Sequence, residues 1–64
     1  MNRLVRWFKR RQREMDLKLL WPTCKEQAPD LDFARGIFFV HMQMDPAYSD
    51  MSEDEKIAYC EGLQ

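Results

Sequence analysis

The alternation of apolar and polar residues along the chain predicts three helices separated by short breaks. Plotted at the helical period, Leu4, Val5, Phe8, Met15 and Leu19 fall within an arc of about 100°. Arg3, Arg6, Lys9, Arg10 and Arg13 gather on the opposite side of the same cylinder. The stretch contains no Gly or Pro and is rich in Arg, Lys, Leu, Met and Glu, all good helix formers. Glu14 and Lys18 add a favourable i,i+4 pair. These features predict a helix over about residues 2–20. Pro22 is expected to end it, because the ring pushes Trp21 towards extended geometry. Residues 22–30 then read as a connector, in which Thr23 and Glu26 have capping-box spacing for one short turn and Pro29 stops it.

A second helix is predicted over about residues 30–44, with Asp30 as N-cap and Asp32 at the positive end of the dipole. Its wheel is unusual. Leu31, Phe33, Ala34, Ile37, Phe38, Phe39, Val40, His41, Met42 and Met44 occupy about 260° of the circumference, with only Asp32, Gly36 and Gln43 as a polar strip and Arg35 interrupting the apolar arc. Ile37–Val40 also suits a strand, but no second strand-like run exists to pair with it. Asp45-Pro46 breaks the chain, with Asp45 able to cap a short turn through Tyr48. Ser52-Glu53-Asp54-Glu55 is a capping box that opens a third helix over about residues 53–61, and Gly62 stands where a C′ glycine belongs.

The expected fold is therefore an all-α, small three-helix domain occupying residues 1–64. A helix that is apolar nearly all round is a buried one. The first helix offers a narrow apolar arc, and the third little beyond Ile57, Cys60 and Leu63. One monomer is expected to leave Phe or Met side chains in water, and such patches mark interfaces. Packing of the second helix on its mate in a homodimer or higher oligomer is the simplest repair. Phe33, Ile37, Phe38, Val40 and Met44 are the candidate interface residues, and Met42, Met44 and Met51 suit an adaptable contact surface.

Composition narrows this little. The 64 residues allow a single domain, and a chain of this length buries only about 60% of its unfolded surface, so a partner subunit is a common supplement. The longest uninterrupted apolar run is Ile37–Val40, far below the roughly 20 residues a membrane span needs. The basic start lacks the apolar core of a signal peptide, and Glu14, Asp16 and the absence of Ser before residue 49 argue against a mitochondrial presequence. A cytoplasmic location is expected, with Cys24 and Cys60 as reduced, partly buried thiols.

Charge divides the chain sharply. Residues 1–18 hold seven Lys/Arg against two acids, a net of +5, while residues 19–64 hold three against nine, a net of −6. Three readings of the basic stripe Arg6, Lys9, Arg10 and Arg13 compete. It is a solvated face balanced within the protein, since charge runs usually need no ligand. It is a nucleic-acid contact, with Trp7 beside it for stacking; the acidic remainder and the absence of any recognition motif count against this. Or it docks on an anionic membrane surface or an acidic protein groove. The membrane alternative is weakened if the second helix needs the first helix's apolar arc as cover.

Catalytic and metal chemistry are not expected. His41, the one histidine, lies inside the apolar arc of the second helix, where a satisfied core or interface role is usual. A zinc site from Cys24, His41, Cys60 and Asp45 has no CxxC or HxxxH spacing behind it. Cys60 and His41 lack any nucleophile elbow, and no Gly-rich phosphate loop exists. The acids after residue 44 are explained more simply by capping and solubility than by mimicry of nucleic-acid phosphates. No enzyme activity, metal or cofactor is therefore expected. Short chains of this kind are common products of phages and mobile elements. The function expected is stoichiometric binding to an unidentified protein partner as a regulator, inhibitor or assembly component, through Arg6, Lys9, Arg10, Arg13 and Trp7.

Overall fold

The computed structural model describes residues 3–64. Three helices form the molecule: α1 (Arg3–Gln27), α2 (Leu31–Met44) and α3 (Glu53–Glu61), with a 3₁₀ turn at Pro46–Tyr48 and no strand among the described residues. The fold is all-α, as the periodicity predicts. The expected start of the first helix at residue 2 lies outside the described residues.

Capping chemistry sets most boundaries. The Asp30 side chain accepts a 2.8 Å hydrogen bond from Phe33 N and opens α2. Asp45 Oδ1 accepts from Ala47 N at 2.9 Å and opens the 3₁₀ turn. Ser52 and Glu55 complete a reciprocal capping box, with both bonds at 3.2 Å. Gly62 closes α3 with φ −82°, in the right-handed region, so its position makes no use of left-handed freedom.

The end of α1 departs from expectation. The helix runs through Pro22 to Gln27, and Thr23–Glu26 is interior rather than a cap. Pro22 removes one backbone donor and lies on the exposed side. The turn that contains it buries Trp21 and Cys24 in the core. A proline inside a helix costs about 3 kcal/mol, whereas burying a large apolar side chain contributes about 1.5–3 kcal/mol each. Here tertiary packing offsets the local penalty.

Helices α1 and α2 run antiparallel, since Asp16 meets His41 and, further along, Trp21 meets Phe38 edge-on at 5.8 Å. Phe38, fully buried, is the centre of the core. Its ring stacks on Tyr59 of α3 at 6.3 Å and meets Tyr48 of the 3₁₀ turn edge-on at 6.4 Å. Cys24, Ala34, Met42, Ala47 and Cys60 fill the remaining space. Arg35 interrupts the apolar arc of α2 because its guanidinium reaches Leu63 O, at 3.0 and 2.7 Å, and ties down the segment after α3.

Two packing expectations are corrected. Phe38 belongs to the monomer's core and is closed to any subunit contact. The arc Leu4, Val5, Phe8, Met15 and Leu19 does not cover α2, since all five are exposed. The buried line of α1 runs instead through Leu17, Leu20, Trp21 and Cys24, at i, i+3, i+4 and i+7. Leu4, Val5 and Phe8 lie in the first turns of a 25-residue helix that overhangs its 14-residue partner.

Burial raises the thiol pKa values of both Cys24 and Cys60. Both thiols are therefore expected to react with a disulfide reagent at neutral pH far more slowly in the native protein than in denaturant. Phe38→Ala is expected to remove about 3–5 kcal/mol, most of the stability of so small a domain. Loss of the helical circular-dichroism signal in low urea checks it.

Candidate docking surface

The basic stripe is divided by the fold. Lys9 and Arg13 turn inward and hold α1 to the segment after α2. Lys9 Nζ donates to Ser49 Oγ at 3.0 Å. Arg13 donates through Nε to Ala47 O at 3.1 Å, pairs with Asp50, and lays its guanidinium over the Tyr48 ring at 5.6 Å. Arg6 and Arg10 are exposed, and with Arg13 and Asp50 they line a recess of about 360 Å³. Arg3, Arg6, Trp7 and Arg10 line a neighbouring one. Trp7 stands half-exposed, edge-on to Phe8 at 5.1 Å, with Arg11 over its ring at 5.7 Å. The expected stripe is thus a free pair beside Trp7 and an internal pair.

A second surface is apolar. On α2, Phe33, Val40 and Met44 are exposed, with Met44 the most at 79%, and Ile37 is half-buried between them. Phe33, Gly36, Ile37 and Val40 line a shallow recess with Asp32. The exposed apolar line of α1, Phe8, Met15 and Leu19, lies about 170° from its buried line, and that of α2, Phe33, Val40 and Met44, about 140° from Ala34, Phe38 and Met42. The α2 line points away from α3, which packs on α2 through Met42–Cys60 and Gln43–Lys56 contacts. The exposed arginines lie beside Asp50.

A polar cluster joins the elements between these surfaces. Asp16 is buried, at 8% exposure. Its Oδ2 accepts from Tyr48 OH at 3.1 Å and lies 3.0 Å from His41 Nε2, while Oδ1 accepts from Gln12 Nε2 at 3.3 Å. His41 Nε2 is also 3.2 Å from Asp45 Oδ2. Burial and, next, the negative charge of Asp16 raise the Tyr48 phenol far above its ordinary range, so it stays a donor to the carboxylate. The spacing rules did not mark Asp16, although it lies one position before the buried line that starts at Leu17. The zinc set Cys24, His41 and Cys60 is not assembled: Cys60 Sγ contacts Met42 Sδ at 3.3 Å, while His41 is turned to the two aspartates.

Comparison with protein-family models, with curated proteins and with solved structures returns no match.

The division of the stripe is directly measurable. Arg13→Ala removes a hydrogen bond, an ion pair and a ring contact, and is expected to lower stability by about 1–2 kcal/mol in urea unfolding. Arg6→Ala and Arg10→Ala are expected to stay within about 0.5 kcal/mol of the parent.

Proposed function

We propose that this chain is a non-enzymatic binding protein that acts stoichiometrically, as a regulator, inhibitor or assembly component, and associates through the exposed apolar line of α2. The observation behind this reading is the exposure of Phe33, Val40 and Met44 along one side of α2. Exposed apolar lines of this kind are where subunits or partners pack. A second copy of the chain is the occupant on α2, in a two-fold arrangement that sets Phe33, Ile37, Val40 and Met44 against themselves. Arg6 and Arg10 point elsewhere and stay open in such a dimer, available to an acidic protein partner. The enclosed thiols of Cys24 and Cys60 support a non-enzymatic role, because neither reaches a cleft where a substrate could sit.

Nucleic acid is the second reading, favoured by the exposed guanidinium groups of Arg6 and Arg10 beside the half-exposed Trp7 ring. Asp50 in the same recess and the internal use of Lys9 and Arg13 weaken it.

Light scattering at micromolar concentration is expected to give a mass above the 7.8 kDa of one chain, and Val40→Lys is expected to return it to that value. A parent protein that scatters as a monomer would overturn the self-association. The nucleic-acid reading predicts salt-sensitive mobility shifts that weaken in Arg6→Ala/Arg10→Ala. Co-sedimentation with anionic vesicles is the parallel measurement for a membrane surface, which the exposed Leu4, Val5 and Phe8 also suit.

A further inference from the structure

Three ligand atoms, from α1, α2 and the residue that joins α2 to the 3₁₀ turn, converge at the edge of the α1–α2 contact. His41 Nε2 lies 3.0 Å from Asp16 Oδ2 and 3.2 Å from Asp45 Oδ2, and the three atoms all fall within 4.8 Å of one another. Two carboxylate oxygens face one imidazole nitrogen at this point. Nε2 carries at most one, and it can be aligned with only one of the two carboxylate oxygens. The neighbouring donors are mostly committed elsewhere. Tyr48 OH serves Asp16 Oδ2, Gln12 Nε2 serves Asp16 Oδ1, and Ala47 N serves Asp45 Oδ1. Asp45 Oδ2 is left with the shared imidazole nitrogen.

We propose that Asp16, His41 and Asp45 form a binding site for a divalent transition-metal ion of the zinc type, with water completing the coordination. One imidazole and two carboxylates are the donor set such ions accept, and the nitrogen ligand disfavours calcium and magnesium. With metal–donor bonds of about 2.1 Å, the observed separations subtend about 90–100° at the ion, which leaves open positions for water. Two ligating carboxylates supply two negative charges that a bound dication cancels. Tyr48 OH on Asp16 and Ala47 N on Asp45 orient the ligating carboxylates, as outer-shell donors do in metal sites. The site is reachable: the His41 side chain is 30% exposed, and a recess lined by Gln12, Asp45 and Pro46 opens beside it. Bound there, the ion ties α1, α2 and the start of the 3₁₀ turn at one point.

The full chain titrated with Zn²⁺, and separately with Co²⁺, tests this. The expected result is one ion per chain, a rise in Tm reversed by chelator, and visible Co²⁺ bands without thiolate charge-transfer absorption. Because His41 is the one histidine in the chain, its ring ¹⁵N signals report metal at Nε2 with no substitution required. Asp45→Asn, which keeps an oxygen to cap the 3₁₀ turn, and His41→Gln are expected to weaken binding by at least about tenfold while far-UV circular dichroism stays helical. Cys24→Ala/Cys60→Ala is expected to bind as the parent does. An unchanged Tm and unchanged His41 signals at millimolar Zn²⁺ overturn the proposal and leave a hydrogen-bonded cluster of Asp16, His41 and Asp45. Binding that survives His41→Gln, or that vanishes in the cysteine variant, overturns it equally.

Discussion

The arrangement of the chain depends on one buried carboxylate. Removing a charged Asp from water is costly by several kcal/mol unless its oxygens are met by donors. Asp16 meets that demand by drawing Tyr48 from the 3₁₀ turn, His41 from α2 and Gln12 from its own helix. A slide of α1 by one turn along α2 would strand the carboxylate among apolar side chains. The apolar contacts of Phe38 tolerate small shifts, whereas this set does not. The polar cluster therefore sets the register, and the aromatic core of Trp21, Phe38, Tyr48 and Tyr59 supplies the cohesion.

Elements whose ends are set by local chemistry were legible in the sequence. Asp30, Asp45-Pro46 and the Ser52–Glu55 box act within three or four residues of themselves, and α2, the 3₁₀ turn and α3 begin where they dictate. At the end of α1 proline's local preference loses to a longer pattern. Leu17, Leu20, Trp21 and Cys24 form an unbroken buried heptad line across Pro22, and that line decides. The basic stripe was legible as a stripe, but its division was not. Lys9 and Arg13 find Ser49, Ala47 and Asp50 34 to 40 positions away, a pairing that no local spacing encodes. Asp16 was hidden for the same reason, since Tyr48 is 32 positions distant.

The two halves of opposite charge acquire a physical meaning in the fold. Part of the positive half is spent on holding the acidic segment in place through Arg13 and Asp50. Part of the negative half lies at helix starts, where Asp32, Glu53, Asp54 and Glu55 face the positive ends of the dipoles. What remains on the surface is a pair of exposed arginines on α1 and an exposed apolar line along α2.

The overhang of α1 bears on how fast and how tightly such a protein can engage anything. A free segment of six or eight residues does not hold a helix in water, because forming the first turn is unfavourable. Arg3–Phe8 escapes that barrier by growing outward from a helix already nucleated on the core, one hydrogen bond at a time. Its helical shape is set by the rest of α1, so any contact made there needs little further loss of backbone entropy.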